Sequence, residues 1–348
     1  MRHNTLTIIN ILTLFLFVLI SPINAKNKSE FNINGAVLTH IHKEGNGYGS
    51  KKSETTHSHL ENTGFNSVQI NTFCYMKDKS IPAVYYGFDP TMQNKKIKKE
   101  IKNLHKKGFT VMLKPHVWIG GNEFNPDNWR NKIDYINPGK LASWFHNYGN
   151  YIKSEAKIAE NSKVEIFVIG TELVKLTKYE KEWKKLIKEI REIYSGKITY
   201  AAEGSNALNI EFWDDLDYIG IDAYFQLTDK KDPDIKDLEE GWVKYEKDLK
   251  KLSEKFNKKI IFTEIGYKSV RGTAVRPWEW SNNSEISQQQ QAQAFEAMYR
   301  TFADKAYIEG IYIWKYFTDN DSYEKDNVAS GFTPYGKIAE GVISGWIN

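Results

Sequence analysis

The sequence predicts an α/β protein, a single (β/α)8 TIM barrel, on three observations. Beyond residue 30, short apolar runs alternate with longer amphipathic stretches, the pattern of strands joined by helical crossovers into a parallel sheet. Eight such runs can be placed, and a barrel of eight units occupies roughly 200 to more than 400 residues. No Gly-x-Gly-x-x-Gly follows the first run, which weakens the competing doubly wound sheet in its dinucleotide-binding form.

Asn34–His40 reads as the first strand, followed by a polar loop over Lys43–Thr56. The second strand is Phe65–Met76. A helix follows over Pro90–Lys107, with Ile97, Ile101 and Leu104 on one side. Phe109–Trp118 is the third strand, Pro138–Glu160 a helix and Glu165–Leu173 the fourth strand. Lys178–Tyr194 is a helix striped by Trp183, Leu186, Ile187 and Ile190. Lys197–Glu203 is the fifth strand, trailed by a short helical turn at Asn209–Asp215. Leu216–Phe225 is the sixth strand, Leu238–Phe256 a helix and Lys259–Tyr267 the seventh strand. Ser287–Ala306 is a helix, Gly310–Phe317 the eighth strand and Lys337–Trp346 a closing helix. No linker or internal repeat interrupts this alternation.

The 348 residues are 41% hydrophobic and 14% aromatic, with ten Trp and twenty Tyr. Surplus aromatics serve cores, and flat rings also line sugar-binding clefts. Forty-eight basic against forty-four acidic residues leave +4, too balanced to argue for a nucleic-acid partner. The lone Cys74 excludes an internal disulfide and a cysteine metal motif; in a strand-like run it reads as a small buried hydrophobe.

Residues 1–25 have the layout of a secretory signal. Arg2 and His3 precede an apolar run, Ile8–Ile20, broken only by Asn10 and Thr13, and Ser21–Ala25 supplies a helix break and a small residue. The run is short for a membrane span, though an uncleaved anchor is the alternative. The expectation is a secreted or periplasmic, monomeric catalytic domain over 26–348, with no stable membrane association after cleavage.

Two acids share a local pattern. Glu264 follows the apolar run Ile260-Ile-Phe262, and Glu172 follows Ile166-Phe-Val-Ile169. A buried carboxylate at a strand end is costly unless it has a partner or a task, and the C-terminal strand ends of a barrel are where its chemistry occurs. Strands four and seven of an eight-membered ring face each other across the opening. Retaining glycosidases need such a pair, with carboxyls about 5–5.5 Å apart. Taken singly, either glutamate is equally an ion-pair partner.

Gly170-Thr-Glu-Leu173 and Phe262-Thr-Glu-Ile-Gly-Tyr-Lys-Ser269 resemble the acid/base and nucleophile motifs of glycoside hydrolase family 113, a family of retaining barrel glycosidases known chiefly as endo-β-1,4-mannanases. Leu113-Lys-Pro-His-Val-Trp118, Asp222-Ala-Tyr-Phe225, Ile313-Trp-Lys-Tyr-Phe317 and Gly331-Phe-Thr-Pro-Tyr-Gly-Lys337 resemble further pieces of it, so the likeness spans nearly the whole chain after the leader. It implies that Glu172 is the general acid/base and Glu264 the nucleophile, and that the partner is a β-linked polysaccharide or oligosaccharide, with no cofactor. Glu172 must then hold a proton at the start, which burial or the charge of Glu264 favours. Many relatives in the wider clan have Asn before the acid/base; Thr171 stands there and is a substrate-binding candidate, as is Asp222.

Tyr224, at the end of strand six, is either a core residue or a hydrogen-bond donor that orients Glu264. Lys114, His116 and Trp118 share parity on strand three and are expected on the cleft wall; Lys114 is alternatively a charge paired to an acid. Trp314 is a candidate platform under the sugar. Trp278 and Trp280 are either stacking residues or loop packing. His40 and His42 form a His-x-His at the end of strand one, as in metal-dependent barrels. Such sites also need histidines on strands five and six, and all eight histidines lie at or before His146. No metal is therefore expected: His40 reads as cleft wall, His42 as exposed, and His57 and His59 as helix surface. The remaining alternatives are a barrel acting on another β-linked glycan and a barrel that only binds glycans.

Overall fold

In the computed structural model, residues 28–120, 126–279, 284–321 and 329–348 are described. Residues 1–25, expected to be a leader, and Trp280 lie outside them. Eight parallel strands close into a barrel in sequence order: β1 (Ile33–Thr39), β2 (Ser67–Met76), β3 (Thr110–Ile119), β4 (Ile166–Thr171), β5 (Lys197–Glu203), β6 (Ile219–Asp222), β7 (Ile260–Ile265) and β8 (Ile308–Phe317).

The helices around them are α1 (Lys51–Thr63), α2 (Asn94–Lys106), α3 (Pro138–Ser162), α4 (Glu180–Arg191), α5 (Ile235–Phe256), α6 (Gln288–Phe302) and α7 (Ile338–Ile347). Local sequence sets their ends. Ser50 caps α1 by accepting from Ser53 N, and Gly64 closes it with φ 105°, a left-handed conformation open to glycine at little cost. Asp234 and Asp237 form a reciprocal capping box at the start of α5. The expected stripe of α4, Trp183, Leu186, Ile187 and Ile190, is buried. Between β5 and β6 only short 3-10 turns intervene (Gly204–Asn209 and Phe212–Asp215), as the compressed sequence there implies.

Two details of the N-terminal third differ from expectation. Lys51–Thr56 is not loop but the first turns of α1. His57 is not helix surface: it is fully buried and its Nε2 lies 2.7 Å from Glu100 Oε1 on α2. Polar residues such as Ser53 and His57 hide this inward face from an apolar-stripe reading, because the helix is fastened by hydrogen bonds as much as by apolar contact. Its neighbour His59 is half-buried and pairs with Glu340 of α7 at 2.7 Å.

Hydrophobic residues divide by strand parity. Val37, Met112, Ile166, Val168, Ala201, Ile261 and Tyr312 fill the barrel interior, and the alternate residues pack outward against the helices. Cys74 is fully buried, and burial pushes its thiol pKa up. The interior layers end below the C-terminal strand ends, where the polar residues begin.

Candidate active site

Two breaks in strand register shape the C-terminal opening. Along β4 and β5, Val168 pairs with Thr199 but Thr171 with Ala201, so β4 carries one extra residue just before Glu172. Along β6 and β7, Ile221 pairs with Phe262 but Asp222 with Glu264, so β7 carries one just before Glu264. Such bulges re-aim side chains at barrel rims. Glu172 is also left-handed, φ 52°, a conformation that costs a non-glycine residue about 1–2 kcal/mol. Its backbone N–H donates to Ala201 O at 2.9 Å, which helps to hold it there.

Glu172 and Glu264 both line one cavity of about 750 Å³. Glu264 is nearly buried and is gripped on both oxygens. Lys114 Nζ donates to Oε1 at 2.6 Å, and Tyr224 Oη donates to Oε2 at 3.0 Å. The Lys114 ammonium also meets Asp222 Oδ1 at 2.5 Å, and Thr263 Oγ1 donates to that same oxygen at 2.8 Å. Burial, then the charge of Glu264, pushes the Asp222 carboxyl well above its usual range. Glu172 has a different environment. Arg130 donates to its Oε2 from both Nε, at 3.0 Å, and Nη2, at 2.7 Å. One strand-end carboxylate is thus held by a lysine and a phenol, the other by a guanidinium.

A family model for Glycoside Hydrolase Family 113 matches residues 38–337. The chain belongs to this family. No curated protein matches it in sequence. Among solved structures it is similar to a GH113 β-1,4-mannanase complex at 24% identity, TM-score 0.79, covering 90% of this chain and 98% of that one. It is also similar to the GH113 β-mannanase from Alicyclobacillus acidocaldarius in complex with ManMIm, at 24% identity and TM-score 0.78, covering 90% and 96%. A Ruminococcus gnavus β-glucuronidase shares the fold more distantly, at 13% identity and TM-score 0.60, over 91% of this chain and 50% of that one.

The protein is therefore a glycoside hydrolase, and most of the expected family 113 residues come together. His116, Trp118, Asp222, Tyr224, Trp278 and Trp314 line the cavity with the two glutamates. Burial, reinforced by the Arg130 and Lys114 charges, drives the His116 pKa well below 6.5, so its ring is neutral. His116 Nε2 and Asp222 Oδ2 are buried and have no hydrogen-bond partner among the described residues. Both groups therefore have hydrogen-bonding capacity for a ligand's hydroxyls. Trp118 packs edge-on against Trp129, with centroids 5.5 Å apart.

Three expectations fail. Lys114 is not a sugar donor on the cleft wall; its other reading, a charge paired to an acid, holds, because it is fully buried with its charge between Asp222 and Glu264. Thr171 does not face the cavity; its hydroxyl is buried and donates to Pro115 O at 3.0 Å. His40 is not cleft wall either. Val37 points into the barrel and Thr39 lines the cavity, so alternation turns His40 outward, where it is buried against Tyr48 and Thr91.

The His40–His42–Asp89 group has the spacing of a metal site, with ligand atoms within 4.8 Å of one another, but the donor chemistry is wrong. His40 Nδ1 accepts from Tyr48 N at 3.0 Å, and burial drives the His40 pKa down to about 3. The neutral ring then carries its proton on Nε2, 3.0 Å from Thr91 Oγ1. No lone pair is left to face the group.

Sequence reasoning missed Arg130, Asn131, Glu203 and Lys315, all of which line the cavity. Glu203 carried the same signal as Glu172, an acid ending a strand. Arg130 carried none, because it sits on a connecting segment whose path the pattern of strands and helices does not fix.

Proposed function

We propose that this family 113 hydrolase is a secreted retaining endo-β-1,4-mannanase. One observation carries the mechanism: two strand-end glutamates share one cavity but sit in unlike electrostatic settings, the arrangement expected of a pair with divided roles. Mannan as substrate rests on the resemblance to the family and its mannanase structures.

Glu264 is the nucleophile. The Lys114 ammonium stabilises negative charge on it, and Tyr224 fixes the second oxygen. It attacks the anomeric carbon as the bond to the leaving oxygen breaks, and Glu172 gives that oxygen its proton. A glycosyl ester on Glu264 results. Glu172, now a carboxylate, takes a proton from water; the water oxygen bonds to the anomeric carbon and frees Glu264. The neutral His116 and the unpartnered Asp222 oxygen supply hydrogen bonds to sugar hydroxyls, and Trp314 supplies an apolar face. Export rests on the apolar Ile8–Ile20 run and the small residues after it.

The deciding experiment is a panel of mannan, glucomannan, cellulose and xylan, with wild type, Glu172→Gln and Glu264→Gln. Mannan hydrolysis abolished or strongly reduced in both variants, with the first-formed product retaining the β configuration by proton NMR, is expected. Unchanged hydrolysis in either variant overturns the assignment of roles. Cleavage of xylan or cellulose but not mannan leaves the mechanism and replaces the substrate.

A further inference from the structure

The acid side of the cavity contains more charge than a proton donor needs. Arg130 is 7% exposed, and its guanidinium carbon lies 4.2 Å from the Trp129 ring centroid. Both of its hydrogen bonds to Glu172 fall on Oε2, at 3.0 and 2.7 Å. Oε1 of Glu172 has no hydrogen bond among the described residues. On the neighbouring strand Glu203 ends β5, lines the same cavity and accepts from Asn131 Nδ2 at 2.9 Å. Asn131 is next to Arg130 in the chain, so one short segment (Arg130–Lys132) grips both carboxylates.

These contacts oppose each other. A guanidinium bonded to a carboxylate favours the ionised form, whereas a second carboxylate close by favours the protonated one. Glu203 records the repulsion itself: burial, then the Glu172 charge, raises its pKa, while Arg130 and Lys132 act to lower it. We propose that Arg130 and Glu203 are opposed positioning charges for Glu172. Arg130 fixes Oε2 and leaves Oε1 to carry the transferable proton. Glu203 offsets the cost that Arg130 imposes on holding it. Together they set the pH at which acid catalysis fails.

The other titratable groups facing Glu172 are Tyr200 on β5, Asp222 on β6 and Tyr224 just beyond it. Both tyrosines are held neutral by burial. The charge of Glu264, across the cavity, is met by Lys114. His116, beside Arg130, is neutral. Asp222 shares the Lys114 ammonium, and Lys132 lines the cavity and acts on Glu203; Arg130 is the cation bonded to Glu172 itself, and Glu203 is the carboxylate that the same segment holds beside it.

The inference rests on Glu172 being the acid/base, and the test separates the two ideas. kcat/KM on a manno-oligosaccharide is measured against pH for wild type, Arg130→Gln, Arg130→Lys and Glu203→Gln. The alkaline limb of that profile reports the group that must be protonated in the free enzyme. Arg130→Gln should move the limb up by about 1–3 pH units, the size of one close opposite charge. Glu203→Gln should move it down by about 1 unit, and Arg130→Lys should leave it near wild type while lowering the rate. Limbs unmoved in Arg130→Gln and Glu203→Gln, or shifted in the same direction, overturn the proposal. If Arg130→Gln does not fold, Glu203→Gln decides alone: a downward shift supports the proposal and an unmoved limb overturns it. A wild type that cleaves no glycan defeats the functional reading instead.

Discussion

Lys114 lies beneath Glu264 and donates to its Oε1 at 2.6 Å, while the same ammonium meets Asp222 Oδ1 at 2.5 Å. One cation therefore serves two buried carboxylates. Removing one partner of a buried ion pair leaves uncompensated charge and costs about 3–5 kcal/mol. Lys114→Ala should lose stability on that scale and nearly all activity. Adding Asp222→Asn should restore part of the stability, because one of the orphaned charges is gone. Urea unfolding of the single and double variants checks this. A Lys114→Ala protein as stable as wild type would show that the cluster is already neutral without its lysine.

Tyr224 gives a smaller, cleaner effect. Its hydroxyl donates to Glu264 Oε2 at 3.0 Å, and a hydrogen bond to a charged group contributes roughly 1.5–3 kcal/mol. Tyr224→Phe keeps the ring and its contact with Phe332. kcat should fall about 10–100-fold on that scale with little change in melting temperature. A wild-type kcat would remove Tyr224 from the mechanism.

The barrel was legible because most strands centre on short apolar runs, such as Ile166–Ile169 and Ile260–Phe262, and helices such as α4 carry an apolar stripe; both signals are local. The site was legible mainly where a side chain ends a strand, as Glu172 and Glu264 do. Alternation from Ile261, which faces the interior, would turn Glu264 toward the helices. The extra residue in β7 reverses this, and no sequence pattern marks a bulge. His40 is the opposite case: it lies at a strand end, but alternation from Val37 turns it outward. Arg130 was illegible because long-range charge pairing, not periodicity, places it.

Two cleft tryptophans should separate binding from chemistry. Trp278 is 49% exposed and Trp314 8% exposed, and both line the cavity. An exposed ring can stack on a distal sugar, and aromatic contacts add about 0.5–1.5 kcal/mol beyond buried area. Trp278→Ala should raise KM about 3–10-fold on long manno-oligosaccharides and leave kcat and short substrates nearly unchanged. Trp314→Ala should instead reduce kcat on every substrate length. Equal effects of Trp278→Ala on short and long substrates would place that ring near the cleavage point.

Lys337 links stability to pH. Its ammonium is bonded to Ser269 Oγ at 2.8 Å and Gly331 O at 3.0 Å. Neither acceptor is charged, and burial lowers its pKa from 10.5 to about 7. Between these values the unfolded chain binds a proton that the folded protein does not, so unfolding free energy should rise with pH across that window. The slope from this group approaches about 1.4 kcal/mol per pH unit. Below about pH 7 both states are protonated and its slope vanishes. Lys315, lowered by burial to about 8, adds a similar slope, but it is present in both proteins when wild type is compared with Lys337→Met. The stability difference between these two should therefore change steadily from about pH 7 upward, in favour of wild type, in urea titrations at fixed ionic strength. Parallel curves would mean that Lys337 stays charged inside the folded protein.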